Sequence, residues 1–76
     1  MLIDIIKPIV QGTDKEAWLS QGKYLNRFQK QILLDKGWST TKYTNLLFND
    51  ADPILSDVVK LCNIIGIPVE GVTAAF

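Results

Sequence analysis

The side chains with the richest hydrogen-bonding chemistry lie together in the stretch GWSTTKYTNL, residues 37–46. Serine and threonine hydroxyls both donate and accept hydrogen bonds, and an asparagine amide does the same through two separate groups. No imidazole stands near them, because the chain contains no histidine, the commonest general base and zinc ligand. The pattern therefore predicts binding chemistry, with no catalytic residue, no metal site and no cofactor.

The charged residues are unevenly distributed although their sum is zero. Residues 1–20 carry a net charge of −1, residues 21–47 carry +4, and residues 48–76 carry −3. A basic middle between acidic ends favours one face for a polyanion. A solvated helix surface would explain the same charges, and composition leaves both interpretations open.

The length of 76 residues fits one domain, which we take as residues 1–76. The single cysteine, Cys62, excludes an internal disulfide and is expected to be a small buried side chain. No apolar run approaches the roughly 20 residues of a bilayer-spanning helix. Asp4 and Lys7 interrupt the apolar opening MLIDIIKPIV, which makes it a poor signal peptide. We therefore expect a soluble, cytoplasmic protein.

Apolar residues recur at the helical spacing of three and four along most of the chain. Thr13 and Glu16 have the spacing of a capping box, and Gly37 and Gly66 stand where helices are expected to end. Residues 2–10 contain Pro8 and fit either a short, kinked helix or a strand. We predict an all-α fold, a compact bundle of four or five short helices. The expected inward residues are Phe28, Ile32, Leu33, Tyr43, Leu46, Ile54 or Leu55, Val58, Leu61 or Cys62, and Ile65.

The segment QKQILLDKGWSTTKYTNL, residues 29–46, has the spacing of two short helices joined by a tight glycine turn. Gly37 would form the turn, Trp38 would fill the space beside it, and Tyr43 and Leu46 would hold the second helix against the first. This segment resembles the helix-turn-helix of the Cro and phage-repressor family, also called the XRE type. The resemblance extends to about Glu70, because ILSDVVKLCNIIGIPVE looks like that family's closing helix.

This resemblance implies binding of double-stranded DNA at an operator by a homodimer, without a cofactor. Hydroxyl and amide side chains of the second helix would meet base edges in the major groove. Other side chains would contact phosphates, which position the protein without specifying sequence. The implied base-contacting residues are Ser39, Thr40, Thr41, Thr44 and Asn45. The implied phosphate-contacting residues are Gln29, Lys30 and Lys42.

The sequence departs from the family pattern after the second helix. Many relatives carry basic residues there, whereas this chain has NDAD at residues 49–52. Carboxylates near phosphate would weaken DNA binding and flatten its dependence on salt.

A second set of residues favours a protein partner. The neighbours Leu46, Leu47 and Phe48 cannot all face one side of an α-helix, and the ending VEGVTAAF is apolar. Because exposed apolar patches indicate interaction sites, we assign a candidate protein interface to Leu47, Phe48, Val72 and Phe76.

Two functions therefore stay open. The first is a small DNA-binding transcriptional regulator of phage or mobile-element type, which occupies an operator as a dimer. The second is a protein-interaction module, an antirepressor or inhibitor that keeps the helix-turn-helix fold and binds another regulatory protein. An enzyme is not supported, because no nucleophile–base pair and no glycine-rich phosphate loop occurs in the sequence.

Overall fold

Helices form all the regular structure in the computed structural model, which describes residues 1–75. The helices are α1 (Leu2–Val10), α2 (Asp14–Ser20), α3 (Arg27–Asp35), α4 (Thr40–Thr44), α5 (Leu55–Ile65) and α6 (Val69–Thr73). A 3-10 turn occupies Gly22–Tyr24, and a π-helical turn, Asn45–Asn49, continues α4. The all-α prediction is confirmed. The described residues contain six α-helices rather than four or five, because the C-terminal tail folds as α6.

The first helix buries one stripe of side chains and keeps its proline outside. Leu2, Ile6 and Val10 recur every four residues and are all buried, as expected for a helix that packs on one side. Pro8 lies within α1 on its exposed side. Of the two alternatives for residues 2–10, the helix is the one that forms.

The cap of α2 differs in register from the predicted capping box. The Thr13 hydroxyl accepts a hydrogen bond from the N–H of Lys15 at 3.2 Å, and not from the N–H of Glu16. The Glu16 carboxylate accepts one from the N–H of Gly12 at 2.7 Å. Both side chains cap the start of α2, but each one reaches a residue earlier than a capping box requires.

The apolar face of α3 is rotated relative to the predicted one. Asn26 and Gln29 form a reciprocal capping box at its start, which turns Gln29 inward together with Leu33. Phe28 precedes Gln29 by one residue, about 100° around the helix, and is therefore left 75 % exposed. The prediction that Phe28 packs in the core is wrong, whereas Ile32 is half-buried and Leu33 is buried as predicted.

The π turn buries two consecutive leucines. The N–H of Asp50 donates to the carbonyl of Asn45 at 2.8 Å, which is the i→i+5 bond of a π-helix. Such a turn holds more residues than the 3.6 of an α-helix, so neighbouring side chains diverge less in direction. Leu46 and Leu47 are both buried as a result, and Phe48 is half-buried against the same core.

The closing helix packs Val58, Leu61, Cys62 and Ile65 into the core, as predicted. It ends at Gly66, which has a φ of 79° in the left-handed region that favours glycine. The prediction that Ile54 or Leu55 faces inward is wrong, since both are exposed. The reason is that α5 begins only at Leu55, and Ile54 is its N-cap with an extended ψ of 130°.

Close packing at Gly22 brings the 3-10 turn against α4 and its π turn. A Cβ at Gly22 would lie 2.8 Å from Cε1 of Tyr43 and 2.9 Å from Cε2 of Phe48. Both distances are shorter than van der Waals contact, so residue 22 can approach these rings only as glycine. The Gly22 carbonyl also accepts a hydrogen bond from the Thr44 hydroxyl at 3.1 Å.

Replacing Gly22 with alanine should lower the free energy of unfolding by about 1–3 kcal/mol, because the two rings must move to admit the methyl group. Gly71→Ala is the matched control. A Cβ at Gly71 would make an ordinary contact of 3.9 Å with Ile9, and alanine is favoured within a helix by about 0.5–1 kcal/mol. Urea unfolding followed by circular dichroism measures both variants. An unchanged midpoint for Gly22→Ala would contradict the close approach.

The Tyr43 ring packs in the core, whereas its hydroxyl is buried without a stabilising contact. The ring makes an edge-to-face contact with Trp18 at a centroid distance of 5.4 Å. The hydroxyl is buried and has no hydrogen-bond partner among residues 1–75. Burial raises the pKa of the Tyr43 phenol far above its ordinary value, because the charged form would lose its hydration.

Tyr43→Phe should raise the free energy of unfolding by about 1 kcal/mol, since an unpaired buried hydroxyl costs about 1–3 kcal/mol. Tyr43→Leu removes the ring and its contact with Trp18, and it should lower the same quantity. Thermal and urea unfolding compare the two variants. A loss of stability in Tyr43→Phe would mean that the hydroxyl has a partner, such as an ordered water.

Candidate nucleic-acid interface

Three of the predicted base-contacting residues are exposed: Thr41 and Asn45, which lie four residues apart on α4 and its π turn, and Ser39, the N-cap that precedes α4. The Ser39 oxygen caps α4 by accepting from the N–H of Lys42 at 3.1 Å, and its hydroxyl hydrogen stays able to donate. The Asn45 Oδ1 accepts from Nδ2 of Asn49 at 2.9 Å, and the Asn45 side-chain Nδ2 has no hydrogen-bond partner within residues 1–75. We call Ser39, Thr41 and Asn45 the α4 outer face.

The other two predicted base-contacting residues are turned toward the protein. Thr40 is half-buried beside the N-cap. Thr44 is also half-buried, and its hydroxyl donates to the Gly22 carbonyl. The prediction that Thr44 faces outward is therefore wrong. Its donor ties α4 to the 3-10 turn, a contact between residues 22 positions apart that the local pattern does not reveal.

The two predicted phosphate-contacting lysines differ in how available their charges are. Lys42 Nζ lies 3.4 Å from Oδ1 of Asp57 on α5 and 5.0 Å from the centroid of the Trp38 ring. The lysine thus links α4 to α5 and to the turn between α3 and α4, and Asp57 partly offsets its charge. Lys30 is exposed on α3 and forms no salt bridge within the described chain, so its charge faces solvent.

Gln29 is buried and takes part in the cap of α3. Its Oε1 accepts from the N–H of Asn26 at 3.2 Å, and Oδ1 of Asn26 accepts from the N–H of Gln29 at 2.9 Å. Its Nε2 makes no hydrogen bond within residues 1–75 and is not among their buried, unsatisfied atoms. In a contact with phosphate, Nε2 would be the atom of Gln29 that donates the hydrogen bond.

The turn between α3 and α4 holds the α4 outer face in place. Gly37 has a φ of 81°, a conformation that favours glycine. The N–H of Trp38 donates to the Leu33 carbonyl at 2.8 Å, and the Trp38 side chain is buried. Tyr43 and Leu46 are buried as well, so the apolar positions predicted around this turn do face the core.

The candidate protein interface is corrected by the burial of its members. Leu47 and Val72 are fully buried within this chain, because the π turn and α6 direct them into the core. Neither offers a surface to a partner in this fold. Phe48 is half-buried against Gly22, and Phe76 lies outside the described residues.

The apolar side chains that do reach the surface were not predicted. Among the described residues, the large ones in the middle of the chain and at α5 are Tyr24, Phe28, Leu34, Ile54 and Leu55. Ile54 and Leu55 are adjacent at the start of α5 and are 65 % and 56 % exposed. The sequence signal that could have revealed Ile54 is Pro53 before it, because a proline near the start of a helix places its neighbours at the helix end, where fewer side chains are covered.

Cys62, the single cysteine of the chain, is buried. Burial raises the pKa of the Cys62 thiol, which disfavours the reactive thiolate. Within residues 1–75, no group of three or more cysteine and carboxylate side chains could hold a metal ion. No helix in the same range has the length and apolar character to cross a membrane.

Comparisons with protein-family models, with curated proteins and with solved structures find no match to this chain. The function is therefore inferred from the residues and from their geometry.

The substitutions Thr44→Val and Thr41→Val compare the stability contribution of a half-buried threonine with that of an exposed one. Thr44→Val removes the hydrogen bond to Gly22 and leaves a partly buried carbonyl unpaired, so it should lower the free energy of unfolding by about 1 kcal/mol. Thr41→Val changes an exposed side chain and should stay within about 0.5 kcal/mol of the wild type. Urea unfolding measures both, and equal effects would show that Thr44 is not held as described.

Proposed function

We propose that the protein is a small DNA-binding transcriptional regulator in which α3, the turn at Gly37 and α4 act as a helix-turn-helix. The observation that carries the proposal is the α4 outer face. Ser39, Thr41 and Asn45 present hydroxyl and amide groups to solvent from a helix whose opposite side is buried. A helix of this kind fits the major groove, where such groups can bond to base edges.

The charges around the α4 outer face favour a polyanionic partner on the side of α3. Lys30 is exposed nearby on α3, and the basic segment of residues 21–47 contains both helices. The acidic residues of the loop after the π turn, Asp50 and Asp52, are exposed and would repel phosphate. DNA would therefore lie toward α3 and away from this loop, and Lys42 would contribute less than its position suggests because Asp57 already pairs with it.

Occupation of an operator as a dimer requires a surface for a second copy. Ile54 and Leu55 supply exposed apolar side chains at the start of α5, and Val72 in the tail does not. A homodimer through this pair would be two-fold symmetric, so each copy would present one α4 to a half-site about 34 Å from the other along the duplex.

Thr41→Ala and Asn45→Ala test the proposal. Each removes a side chain from the α4 outer face without touching the core, and each should weaken binding to the preferred duplex by about 5- to 150-fold, as expected for the loss of a base contact. Ser56→Ala, at an exposed position of α5, is the control. Fluorescence anisotropy with the duplex upstream of the protein's own coding sequence measures the affinities. No binding by the wild type at low salt would sink the proposal.

Ile54→Asp combined with Leu55→Asp tests the dimer. Burying these carboxylates in a symmetric contact would place like charges together, so the variant should be monomeric where the wild type is dimeric. Leu34→Asp is the control, since Leu34 is similarly exposed at 57 % on α3. Sedimentation equilibrium gives the mass of each. A wild type that stays monomeric while bound to DNA would contradict the dimer.

The same apolar pair supports a second candidate, a protein-interaction module of antirepressor or inhibitor type. Ile54 and Leu55 follow the acidic loop with Asp50 and Asp52, and this combination fits a partner that has an apolar site with a basic border. One experiment distinguishes the two candidate functions. Under this alternative, a partner regulator would bind the wild type and not the Ile54→Asp, Leu55→Asp variant, and Thr41→Ala would have no effect.

A further inference from the structure

A basic and aromatic surface borders α4 on the side of the 3-10 turn. Between Glu16 and Asp35 the chain contains no acidic residue, and its cations in that interval are Lys23, Arg27 and Lys30. All three are exposed and none forms a salt bridge within residues 1–75. Their charges therefore add up rather than cancel.

Two aromatic side chains stand among these cations. Tyr24 is 78 % exposed and Phe28 is 75 % exposed, four residues apart across the junction of the turn and α3. Lys23 Nζ lies 6.0 Å from the centroid of the Tyr24 ring, within range of a cation–π contact. Neither ring belongs to the core, and exposed apolar groups that cluster on a small protein indicate a partner.

We propose that Lys23, Tyr24, Arg27 and Phe28 form a clamp on the sugar–phosphate backbone of DNA beside the segment that α4 contacts. The two cations neutralise phosphates, and the two rings pack on the faces of neighbouring deoxyriboses. This inference rests on the proposed function, and it extends the DNA-contacting surface beyond the helix-turn-helix segment.

The position of the clamp follows from the packing at Gly22. Gly22 is held against Tyr43 and Phe48, and the Thr44 hydroxyl binds its carbonyl, so Lys23 and Tyr24 directly adjoin α4. Helical residues Thr40–Thr44 and Asn45–Asn49 together span about 15 Å. Because the 3-10 turn packs on the side of α4 that carries Tyr43 and Thr44, we place the clamp beside the α4 outer face rather than in line with it.

The chemistry of the clamp favours nucleic acid over a lipid surface. A helix that lies in a membrane interface needs a broad apolar face, whereas α3 has nine residues and directs its buried side into the protein core. Here cations and rings alternate along a turn and one helical end. The cations can pair with phosphates, and the exposed rings can cover the apolar faces of the sugars between them.

The test compares two double variants on two duplexes at several salt concentrations. Lys23→Ala with Arg27→Ala should weaken binding to the preferred duplex and to a scrambled duplex by the same factor, and it should reduce the salt slope by about 1.8, or about 0.9 for each phosphate contact.

Tyr24→Ala with Phe28→Ala should weaken binding to both duplexes by about tenfold, as for the loss of a buried aromatic contact, without a change in the salt slope. Lys7→Ala, at an exposed position of α1, is the control. Melting temperatures verify that every variant is folded.

The outcomes distinguish this inference from the proposed function. If the wild type binds DNA and depends on Thr41 and Asn45, while both clamp variants keep its affinity and salt slope, the clamp is wrong and the proposed function stands. If the wild type binds no duplex, both fail. Binding to vesicles of phosphatidylcholine with phosphatidylserine that is lost in Tyr24→Ala with Phe28→Ala, with DNA binding intact, also overturns the clamp.

Discussion

The contact between Gly22 and the rings of Tyr43 and Phe48 determines how α4 sits in the molecule. A Cβ added at Gly22 would lie only 2.8 and 2.9 Å from carbons of these rings, so glycine allows the 3-10 turn to come this close. The resulting closeness allows the Thr44 hydroxyl to bind the Gly22 carbonyl. With Tyr43 and Thr44 turned inward, Thr41 and Asn45 are left on the outside. The same contact brings Lys23 and Tyr24 beside α4, so the α4 outer face and the clamp depend on one glycine.

The π turn has the complementary effect on the apolar residues. It buries Leu46 and Leu47 together and so closes the core beneath α4. The apolar surface that remains for partners is therefore elsewhere, at Ile54 and Leu55 on α5 and at Tyr24 and Phe28 near α3. These two surfaces fit different tasks, because the first adjoins acidic residues and the second stands among cations. A DNA-bound dimer would use both at once.

Much of the helical architecture could be predicted from local chemistry. Gly37 and Gly66 end their helices with positive φ, Ser39 caps α4, and Leu33, Tyr43 and Val58 are buried where the spacing of apolar residues placed them. These features depend on a few neighbouring residues, so the sequence displays them directly.

The errors arose where the packing of distant segments decides the outcome. The inward turn of Thr44 depends on a carbonyl 22 residues earlier, and the exposure of Phe28 depends on the register that the Asn26–Gln29 cap gives to α3. Leu47 lies four residues after Tyr43, which is the α-helical spacing of an inward residue, and its burial agrees with that spacing rather than with a place in a protein interface. Ile54 was misplaced because α5 begins one residue after it. In the candidate site, Ser39, Thr41 and Asn45 were predicted on the exposed side, where they lie, whereas Thr44 and the interface residues Leu47 and Val72 were not placed correctly.

Contact between the α4 outer face and DNA can be observed by an NMR titration. Amide and side-chain shifts of the labelled protein would be followed as the preferred duplex is added. We expect the largest changes at Ser39, Thr41 and Asn45, smaller changes at Lys23 and Arg27, and none at Asp4 or Lys7 on α1. Changes confined to Ile54 and Leu55, or an unperturbed α4 in a saturated complex, would contradict this contact.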